Sequence, residues 1–381
     1  MARVRLGEVF QISSGGTPSK QKTEYYLGGS IPWVKTGDLK DKFVSEDIER
    51  ITKDGLDNSS AKLFPKNTVL IAMYGATIGA CSILPFEAST NQACAAFLPN
   101  DAFNPEFLFY FLSSQRNQFI KDGVGGAQPN ISAGYLKNVF IPLISIDQQS
   151  EIVRSLNRVD TLISLRKQQL AKLDELIKAH FVEMFGDPVE NDKGWDAIRL
   201  ENACDGVGDG LHGTPEYDED GKYPFINGNN LIDGTIKITS ATKHVNEATY
   251  KEHFIDLSRN AILISINGTL GKLAYYKGEK VMLGKSACYC NLKPFIQREF
   301  VFAIMKTDAF LSFLERNATA STIKNVGLKA IRGYKLIMPP NELQNQFIEF
   351  AKQIDKSKAV VQQSLDKLET LKKALMQQYF G

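Results

Sequence analysis

Residues 172–186 read KLDELIKAHFVEMFG, and residues 367–381 read KLETLKKALMQQYFG, which is the same pattern 195 positions later. The match extends without a gap over residues 147–186 and 342–381. Identical positions in the two copies include Gln149 and Gln344, Asp160 and Asp355, Leu173 and Leu368, and Phe185 and Phe380. A gapless match of this length indicates that the chain contains an internal duplication.

The duplication continues, more weakly, on the N-terminal side of both copies. RLGEVFQISSGGTP near the start is echoed by RLENACDGVGDGLHGTP from Arg199, IPWVKTGDL (31–39) by YPFINGNNL (223–231), and TVLIAMYGATIG (68–79) by AILISINGTLG (261–271). A phenylalanine-rich helix predicted near 105–120 recurs near 298–316. Each half of the sequence is therefore predicted to form one domain followed by one long helix.

The predicted fold class is α+β, with two similar domains joined by two long helices. Short runs of β-branched and aromatic residues, such as VLIAM and AILISI, alternate with Gly, Asn and Pro and predict strands with tight turns. The predicted boundaries are 1–146 for the first domain, 147–186 for the central helix, 187–341 for the second domain and 342–381 for the C-terminal helix.

Apolar residues recur every three or four positions along both long helices, with a seven-residue period that predicts a coiled-coil seam. The seam residues of the first helix are Ile152, Leu156, Val159, Ile163, Leu170, Leu173 and Ile177. Those of the second helix are Ile354, Val361, Leu365, Leu368 and Leu375. The stripes are interrupted by Arg166, His180, Lys358 and Lys372.

The order of the elements predicts that the two helices run antiparallel. The second helix must return along the first if the second domain releases the chain close to where the chain entered it. Each helix of roughly 40 residues would span about 60 Å. The sequence therefore predicts two domains at opposite ends of a rod, related by a pseudo-twofold axis. The alternative, in which the helices are mere linkers, leaves the repeat without an explanation.

Composition limits the function classes without choosing among them. The 381 residues carry a net charge of +2, so only a local basic surface could serve a nucleic-acid partner. Five irregularly spaced cysteines do not form a disulfide framework and indicate a reducing compartment. Because the sequence lacks a signal-peptide core and a long apolar run, we expect a cytoplasmic protein with no membrane partner.

Two related but divergent domains at a fixed separation are suited to reading two short sequences on one DNA duplex. Base readout uses polar and basic side chains on loops, with further basic residues for phosphates. The candidates in the first domain are Thr17, Ser19, Lys20, Lys22, Lys35, Thr36, Tyr74, Gln128 and Asn130. Those in the second domain are His212, Thr214, Asn227, Asn229, Asn230, Asn267, Thr322, Lys324 and Asn325. The alternative for each is an ordinary polar turn, and for Asn130 and Asn325 an Asx turn.

Several of these stretches, in this order and in duplicate, resemble the specificity subunits of type I restriction-modification systems. They are LGEVFQISSGGTPSK, IPWVKTGDL, the NIS…L…IPL…DQQ stretch within 130–149, and the KLxxLxK…FG pattern, and together they span the whole chain. The resemblance implies two target-recognition domains, each binding half of a bipartite asymmetric site in double-stranded DNA, and helices that set the spacer.

The same resemblance implies partners and assigns the cofactors to them. Two methyltransferase subunits, which bind S-adenosylmethionine, would dock on this chain, and the restriction subunits, which use ATP, would join through them. The chain itself would bind no cofactor and carry no catalysis.

Motifs for catalysis and metal binding are missing from the sequence. GEKVMLGKS (278–286) places five residues between Gly278 and Gly284, whereas a phosphate-binding P-loop requires four. Cys288 and Cys290 lack the second pair that a zinc site needs. The histidines without a partner pattern are His212, His244 and His253.

Two rival functions remain open at this stage. A protein-interaction scaffold with two docking heads predicts no salt-dependent binding to a duplex, whereas a protein that contacts phosphates must bind more weakly as salt rises. A self-contained nuclease or methyltransferase predicts turnover by the purified chain alone, and the missing motifs argue against it.

Overall fold

The chain divides into two units. Each unit contains one copy of the repeated domain and a part of both long helices. The structure, a computed structural model, describes residues 2–123 and 130–381. Unit 1 comprises Met1–Lys167 and Gln363–Gly381, and unit 2 comprises Gln168–Gln362. Both divisions fall at the same point of the repeat, because Lys167 and Gln362 are 195 residues apart.

Unit 1 is built from short strands and helices followed by the start of a long helix. Its strands are β1 (Arg3–Arg5), β2 (Ile12–Ser14), β3 (Ile31–Val34), β4 (Arg50–Ile51), β5 (Leu63–Phe64), β6 (Val69–Ala72), β7 (Cys81–Ile83), β8 (Ala88–Thr90), β9 (Cys94–Phe97) and β10 (Phe140–Pro142). Its helices are α1 (Leu6–Val9), α2 (Lys53–Asp57), α3 (Pro105–Ser114), α4 (Arg116–Asp122), α5 (Ala133–Lys137) and the long α6 (Ile146–Phe185), which ends in unit 2. Single 3-10 turns cover Thr23–Tyr25, Thr36–Asp38 and Gly75–Thr77.

Two four-stranded sheets form the core of unit 1. The first is antiparallel in the order β2-β9-β6-β7, and the second has the order β4-β3-β8-β5 with β3 parallel to β8. Strand β6 is buried on both faces, because Val69 and Ile71 belong to one apolar cluster while Leu70 and Ala72 belong to another. This double burial explains why β6 is a continuous apolar run rather than an alternating one. Strands β1 and β10 form a separate antiparallel pair.

Unit 2 repeats this plan. Its strands are β11 (Ala197–Arg199), β12 (Cys204–Asp209), β13 (Tyr223–Ile226), β14 (Leu231–Ile232), β15 (Thr235–Ile236), β16 (His244–Val245), β17 (Ala261–Ser265), β18 (Leu273–Tyr275), β19 (Met282–Leu283), β20 (Ala287–Leu292) and β21 (Lys335–Ile337). Its helices are α7 (Leu200–Ala203), α8 (Glu247–Glu252), α9 (Arg298–Met305), α10 (Asp308–Arg316), α11 (Leu328–Gly333) and the long α12 (Asn341–Phe380), which ends in unit 1. A 3-10 turn covers Gly228–Asn230.

The sheet orders match between the two units. Unit 2 has an antiparallel sheet β12-β20-β17-β18 and a second sheet β16-β13-β19 in which β13 is parallel to β19. Strands β11 and β21 pair as β1 and β10 do. Unit 2 adds the hairpin β14-β15, and the described part of unit 2 has no strand in the place of β5. The predicted α+β fold with an internal repeat is confirmed.

The phenylalanine at the end of each long helix explains the repeated FG. Phe380, at the end of α12, packs against Phe107 of α3 in unit 1, with ring centroids 5.3 Å apart. Phe185, at the end of α6, packs against Phe300 of α9 and Phe347 in unit 2, at 5.0 and 5.8 Å. Each long helix therefore inserts its last aromatic ring into the core of a domain.

The phenylalanine-rich segment of each half forms two helices rather than the predicted one. Helix α3 ends at Ser114 and α4 begins at Arg116, while α9 ends at Met305 and α10 begins at Asp308. The break in unit 2 arises at Thr307, whose extended backbone leaves the helix and whose hydroxyl caps α10 by accepting from the Phe310 N–H at 3.2 Å.

The long helices run antiparallel within each unit, as predicted. In unit 1, Lys372 Nζ lies 2.5 Å from Asp160 Oδ1 and Arg166 Nε lies 3.2 Å from the Ser364 hydroxyl. In unit 2, Lys358 Nζ lies 2.5 Å from Asp174 Oδ1 and the His180 ring centre lies 4.2 Å from that of Phe350. The higher number on α6 thus pairs with the lower number on α12. The predicted seam residues are all buried or partly buried, and the fully buried ones are Leu156, Val159, Val361 and Leu365. Among the residues that the structure describes, none of the helices has the length and apolarity that a bilayer crossing requires.

Candidate nucleic-acid interface

The candidate loops of unit 1 converge on one short segment, residues 91–93, which joins β8 to β9. We call it the junction of unit 1. Three backbone hydrogen bonds of 2.9 Å connect the loops to the junction or to Thr90, the residue before it. They run from Gly16 N–H to Thr90 O, from Asn91 N–H to Val34 O, and from Met73 N–H to Ala93 O. The loop after β2, the loop after β3 and the loop after β6 are therefore brought together.

Unit 2 has the same arrangement around residues 284–286, which join β19 to β20 and form the junction of unit 2. The corresponding bonds are Leu211 N–H to Leu283 O at 2.8 Å, Gly284 N–H to Ile226 O at 2.9 Å, and Ile266 N–H to Ser286 O at 3.1 Å. The Ser286 hydroxyl adds a bond to Asn227 Oδ1 at 2.8 Å. Three loops thus converge in unit 2 as they do in unit 1.

One glycine in each unit makes this convergence possible. A Cβ on Gly15 would lie 1.9 Å from Thr90 O, and a Cβ on Gly210 would lie 1.9 Å from Leu283 O. Real Cβ atoms do not approach a carbonyl so closely, so both positions require glycine. These residues are also 195 positions apart, and they account for one glycine in each of the stretches SSGGTP and GDGLHGTP.

The loop after the central strand is closed by an asparagine-containing segment in both units. Tyr74 forms an isolated β-bridge with Asn130 in unit 1, and Asn267 forms one with Asn325 in unit 2. The Asn325 Oδ1 atom accepts from Asn267 Nδ2 at 3.2 Å, and the Asn325 N–H donates to the Thr319 hydroxyl at 3.2 Å. These contacts give Asn325 a role in holding its own loop.

The candidates of unit 1 differ in how free their polar groups are. Ser19 and Lys20 are exposed. Lys22 donates to the Tyr25 hydroxyl at 2.9 Å, and this hydrogen bond raises the pKa of Lys22.

Next to β3, Lys35 Nζ lies 2.6 Å from Glu49 Oε2, and this hydrogen bond raises the pKa of Lys35. Lys35 therefore stays cationic, but Glu49 competes with any phosphate for it. Its neighbour Thr36 is partly exposed at the start of the 3-10 turn, and the Thr17 hydroxyl hydrogen-bonds to Gln92 Oε1. The candidate Gln128 lies outside the described residues.

The candidates of unit 2 are mostly exposed around the junction of that unit. Thr214, Thr322 and Lys324 are exposed, and Lys324 Nζ lies 3.5 Å from Glu315 Oε1. His212 Nε2 lies 2.8 Å from Asp209 Oδ2.

The three asparagines of the NGNN turn have separate partners. Asn227 bonds with Ser286, Asn229 Oδ1 lies 3.5 Å from Lys272 Nζ, and Asn230 Nδ2 donates to Lys237 O at 3.1 Å. Asn229 is the exposed one of the three. These contacts order the turn and leave the Asn229 amide at the surface.

Two exposed side chains at the junctions escaped the sequence reasoning. Gln92 lies in the junction of unit 1 and Lys285 in that of unit 2, and both are exposed. They occupy matching places, because each lies two residues before a strand residue with the equivalent partner. That residue is Cys94, paired with Ala72, in unit 1 and Ala287, paired with Ser265, in unit 2. A comparison of TNQAC (90–94) with LGKSA (283–287) was the available signal, but it contains no identity that would draw attention.

The apparent phosphate motif belongs to this junction. Ser286 of the GKS triplet is followed at once by β20, so no helix N-terminus is available to hold a phosphate. In the described parts of the chain, no group of His, Cys, Asp and Glu has a metal-binding arrangement. Cys81 and Cys94 are buried, and burial raises the pKa of both thiols to about 12. Such thiols are packing residues rather than nucleophiles.

Comparisons with known proteins agree on one family. The sequence matches the type I restriction modification DNA specificity domain over residues 1–175 and again over 193–370. It is 25% identical over 382 residues to the specificity subunit of the type I restriction enzyme MjaIX of Methanocaldococcus jannaschii, covering 90% of this chain and 84% of that one.

Two solved structures share the fold over the whole chain. One comes from work on complex assembly and conformational transition of the type I R-M system, with a TM-score of 0.62 at 18% identity over 100% of this chain and 97% of that one. The other is the S subunit of a type I restriction-modification system from M. genitalium, with a TM-score of 0.50 at 16% identity, covering 100% of this chain and 96% of that chain.

Proposed function

The chain belongs to the family of type I restriction-modification DNA specificity subunits, and we propose that it reads a bipartite, asymmetric site in double-stranded DNA. Members of this family are the DNA-recognition subunits, without catalysis of their own. In our proposal residues 1–146 and 187–341 are the two target-recognition domains. Residues 147–186 and 342–381 are the helices that set the spacer between the half-sites.

The proposal rests on one observation: the two units contain equivalent junctions, but the side chains at these junctions differ. Both units bring three loops together through equivalent backbone bonds, but the side chains at matching places differ. Lys35 corresponds to Asn227, Gln92 to Lys285, and Tyr74 to Asn267. Because base choice depends on donors and acceptors at such positions, two junctions with different groups are expected to read different half-sites.

The long helices offer a reason to expect two methyltransferase subunits. Leu165 and Leu371 in unit 1 are 53% and 46% exposed, and Leu176 and Val360 in unit 2 are 45% and 68% exposed. Leu176 and Val360 precede the seam residues Ile177 and Val361 by one residue. Leu165 and Leu371 precede Arg166 and Lys372, which occupy the corresponding positions of the same seven-residue stripe. On two antiparallel helices with a shared seam, such positions lie on the same side of the pair.

The four residues are also related by the repeat, since Leu165 corresponds to Val360 and Leu176 to Leu371. Two equivalent apolar surfaces, one in each unit, would dock two copies of one partner. We propose that these surfaces bind the methyltransferase subunits, which carry S-adenosylmethionine. The restriction subunits, which carry ATP, would join through them.

Salt-dependent DNA binding by the complex with its methyltransferase tests the reading function. Lys285→Ala should weaken binding and reduce the slope of log K against log salt by about 1, as expected for one lost phosphate contact. Gln92→Ala should relax base preference in one half-site without changing the slope. Lys373→Ala, which removes an exposed charge on α12 on the side of the helix away from Leu371, is the matched control. Binding that is insensitive to salt and sequence would instead support a protein-interaction scaffold.

A further inference from the structure

Resting on the proposed function, we infer that residues 237–243 of unit 2 form an additional phosphate-binding surface beside the junction, and that the corresponding segment of unit 1 does not bind DNA. The segment reads KITSATK and lies between the hairpin β14-β15 and β16. The two half-sites would then be bound through different numbers of phosphate contacts. Unit 2 would contact more of the DNA backbone than unit 1 does.

The segment is held in a defined conformation. The Lys237 N–H donates to Asn230 O at 2.7 Å, and Asn230 Nδ2 donates back to Lys237 O at 3.1 Å and to the Thr242 hydroxyl at 3.3 Å. The Thr242 hydroxyl also accepts from the Thr239 N–H at 2.9 Å. These bonds fix a turn while Lys237, Thr239 and Lys243 remain exposed to solvent. An ordered basic turn loses little entropy when it binds a phosphate backbone.

Residues 237–243 lie beside the candidate interface of unit 2. Asn230, which holds the turn, belongs to the same NGNN stretch as the exposed Asn229. At the other end, Lys243 Nζ lies 6.0 Å from the centre of the Tyr217 ring, in the loop that carries Thr214. The turn therefore connects two of the loops that meet at the junction of unit 2.

The charge of the segment differs between the two units. Both segments run from the 3-10 turn to the strand that pairs with β3 or β13, and they cover 39–49 in unit 1 and 231–243 in unit 2. The segment of unit 1 has two lysines and four carboxylates, whereas that of unit 2 has two lysines and one carboxylate. A segment rich in carboxylates repels a phosphate backbone, and a basic one attracts it.

One of the two lysines of the unit 1 segment is also less available, while Lys40 is exposed among four carboxylates. Lys42 Nζ contacts Glu106 and lies 2.7 Å from Asn157 Oδ1, in a partly buried network with α6. Glu49 binds Lys35. In unit 2, the described contacts leave Lys237 and Lys243 without a carboxylate partner. In unit 1, Lys42 and Glu49 of this segment are therefore bound to other residues of the protein, whereas in unit 2 Lys237 and Lys243 are exposed to solvent.

The test uses the full chain in complex with its methyltransferase, bound to DNA that carries the recognised site. Lys237→Ala with Lys243→Ala should weaken binding and lower the salt slope by about 2, at roughly 0.9 per phosphate contact. Hydroxyl-radical footprinting should also lose protection of the DNA backbone within the unit 2 half-site. The matched control is Lys40→Ala, an exposed lysine of the unit 1 segment, which should change neither the slope nor the footprint.

An unchanged slope together with an unchanged footprint in the double variant would overturn the inference, as would an equal loss in Lys40→Ala. Lys237→Glu with Lys243→Glu provides a second variant, in which repulsion should enlarge the same effects. Failure of the proposed function has a different signature, because the unaltered complex would then show no sequence-specific, salt-dependent binding at all.

Discussion

Tyr110 connects α3 to both long helices in unit 1. Its hydroxyl lies 2.6 Å from Asn157 Oδ1 and 2.7 Å from Asp160 Oδ2 on α6, and Lys372 Nζ of α12 lies 6.0 Å from the centre of its ring. Burial, followed by the hydrogen bond to Asp160, raises the pKa of the phenol above its usual range. The residue therefore remains a neutral donor at any physiological pH.

Unit 2 lacks this connection. Because Phe107 and Phe300 pack on the equivalent Phe380 and Phe185, Tyr110 corresponds to Ala303. A cavity of about 580 Å³ opens there, lined among others by Ala303, Phe302, Tyr275 and Asp355. The two domains thus share a fold but meet their helices through different contacts.

Tyr110→Phe should lower the free energy of unfolding by about 1–3 kcal/mol, because it removes the single O–H donor that the part-buried Asn157 and Asp160 oxygens share. Denaturant unfolding followed by circular dichroism would measure this loss. Tyr135→Phe is the matched control, since its hydroxyl bonds Asp122 near the surface, and it should change stability by less than about 0.5 kcal/mol. Equal losses in the two variants would show that the buried network contributes nothing.

The residue scale is also where sequence reasoning was weakest. The residue type and loop of Lys35 predict a DNA contact, and this stays a prediction. The sequence does not reveal its partner Glu49, which is 14 residues away and is brought near by the register of β3 and β4. Gln92 belongs to no recognisable motif, and Lys285 is the lysine of an incomplete P-loop, so the sequence predicts a DNA contact for neither. Only the packing of three loops against residues 91–93 and 284–286 gives them a place.

At the scale of elements, the junction glycines test the local geometry. Gly15→Ala and Gly210→Ala each place a Cβ against a backbone carbonyl that cannot move freely, so each should displace its loop and abolish recognition of one half-site. Gly37→Ala and Gly213→Ala are matched controls in the same regions, because a Cβ there meets nothing within 4 Å. DNA binding to sites with one half-site scrambled measures the effect, and normal recognition of both half-sites by Gly15→Ala would contradict it.

The apolar helix surfaces give a second test at this scale. Leu165→Glu with Leu371→Glu should reduce the bound methyltransferase from two copies to one, and adding Leu176→Glu with Val360→Glu should remove the second. A charge in the centre of an apolar interface costs several kcal/mol. Analytical ultracentrifugation of the purified complexes would count the copies. Thr161→Glu, at an exposed position outside these apolar surfaces, is the control and should leave two copies bound. Two bound copies in all variants would show that the methyltransferase docks elsewhere.

Elements with strong periodicity could be predicted from the sequence, and the others could not. The seam of α6 and α12 follows from a heptad sustained over 40 residues in each helix, and β6 and β17 follow from continuous apolar runs. The hairpin β14-β15 was missed although its Asp-Gly turn has both residues at positive φ, 48° and 75°. Its strands have two residues each, which is too short for a period to appear.

At the scale of the whole molecule, the proposal that the helix pair sets the spacer predicts the effect of lengthening both helices together. Seven residues inserted after both Lys167 and Gln362 preserve the heptad phase and the repeat. They add about 10 Å of helix at 1.5 Å per residue, which corresponds to about three base pairs. The preferred spacer should lengthen by that amount while both half-sites stay the same, as measured by selection from a library of randomised spacers. A changed half-site with an unchanged spacer would refute the idea.

The central claim is that each unit reads its own half of one bipartite site, and sequencing of the methylated bases in cells that express this chain with its methyltransferase tests it most directly. The unaltered chain should give one motif with two specified halves and an unspecified spacer. The Gln92→Ala chain should relax one half and leave the other half and the spacer as they were. A single contiguous motif, or a simultaneous change of both halves, would contradict the account.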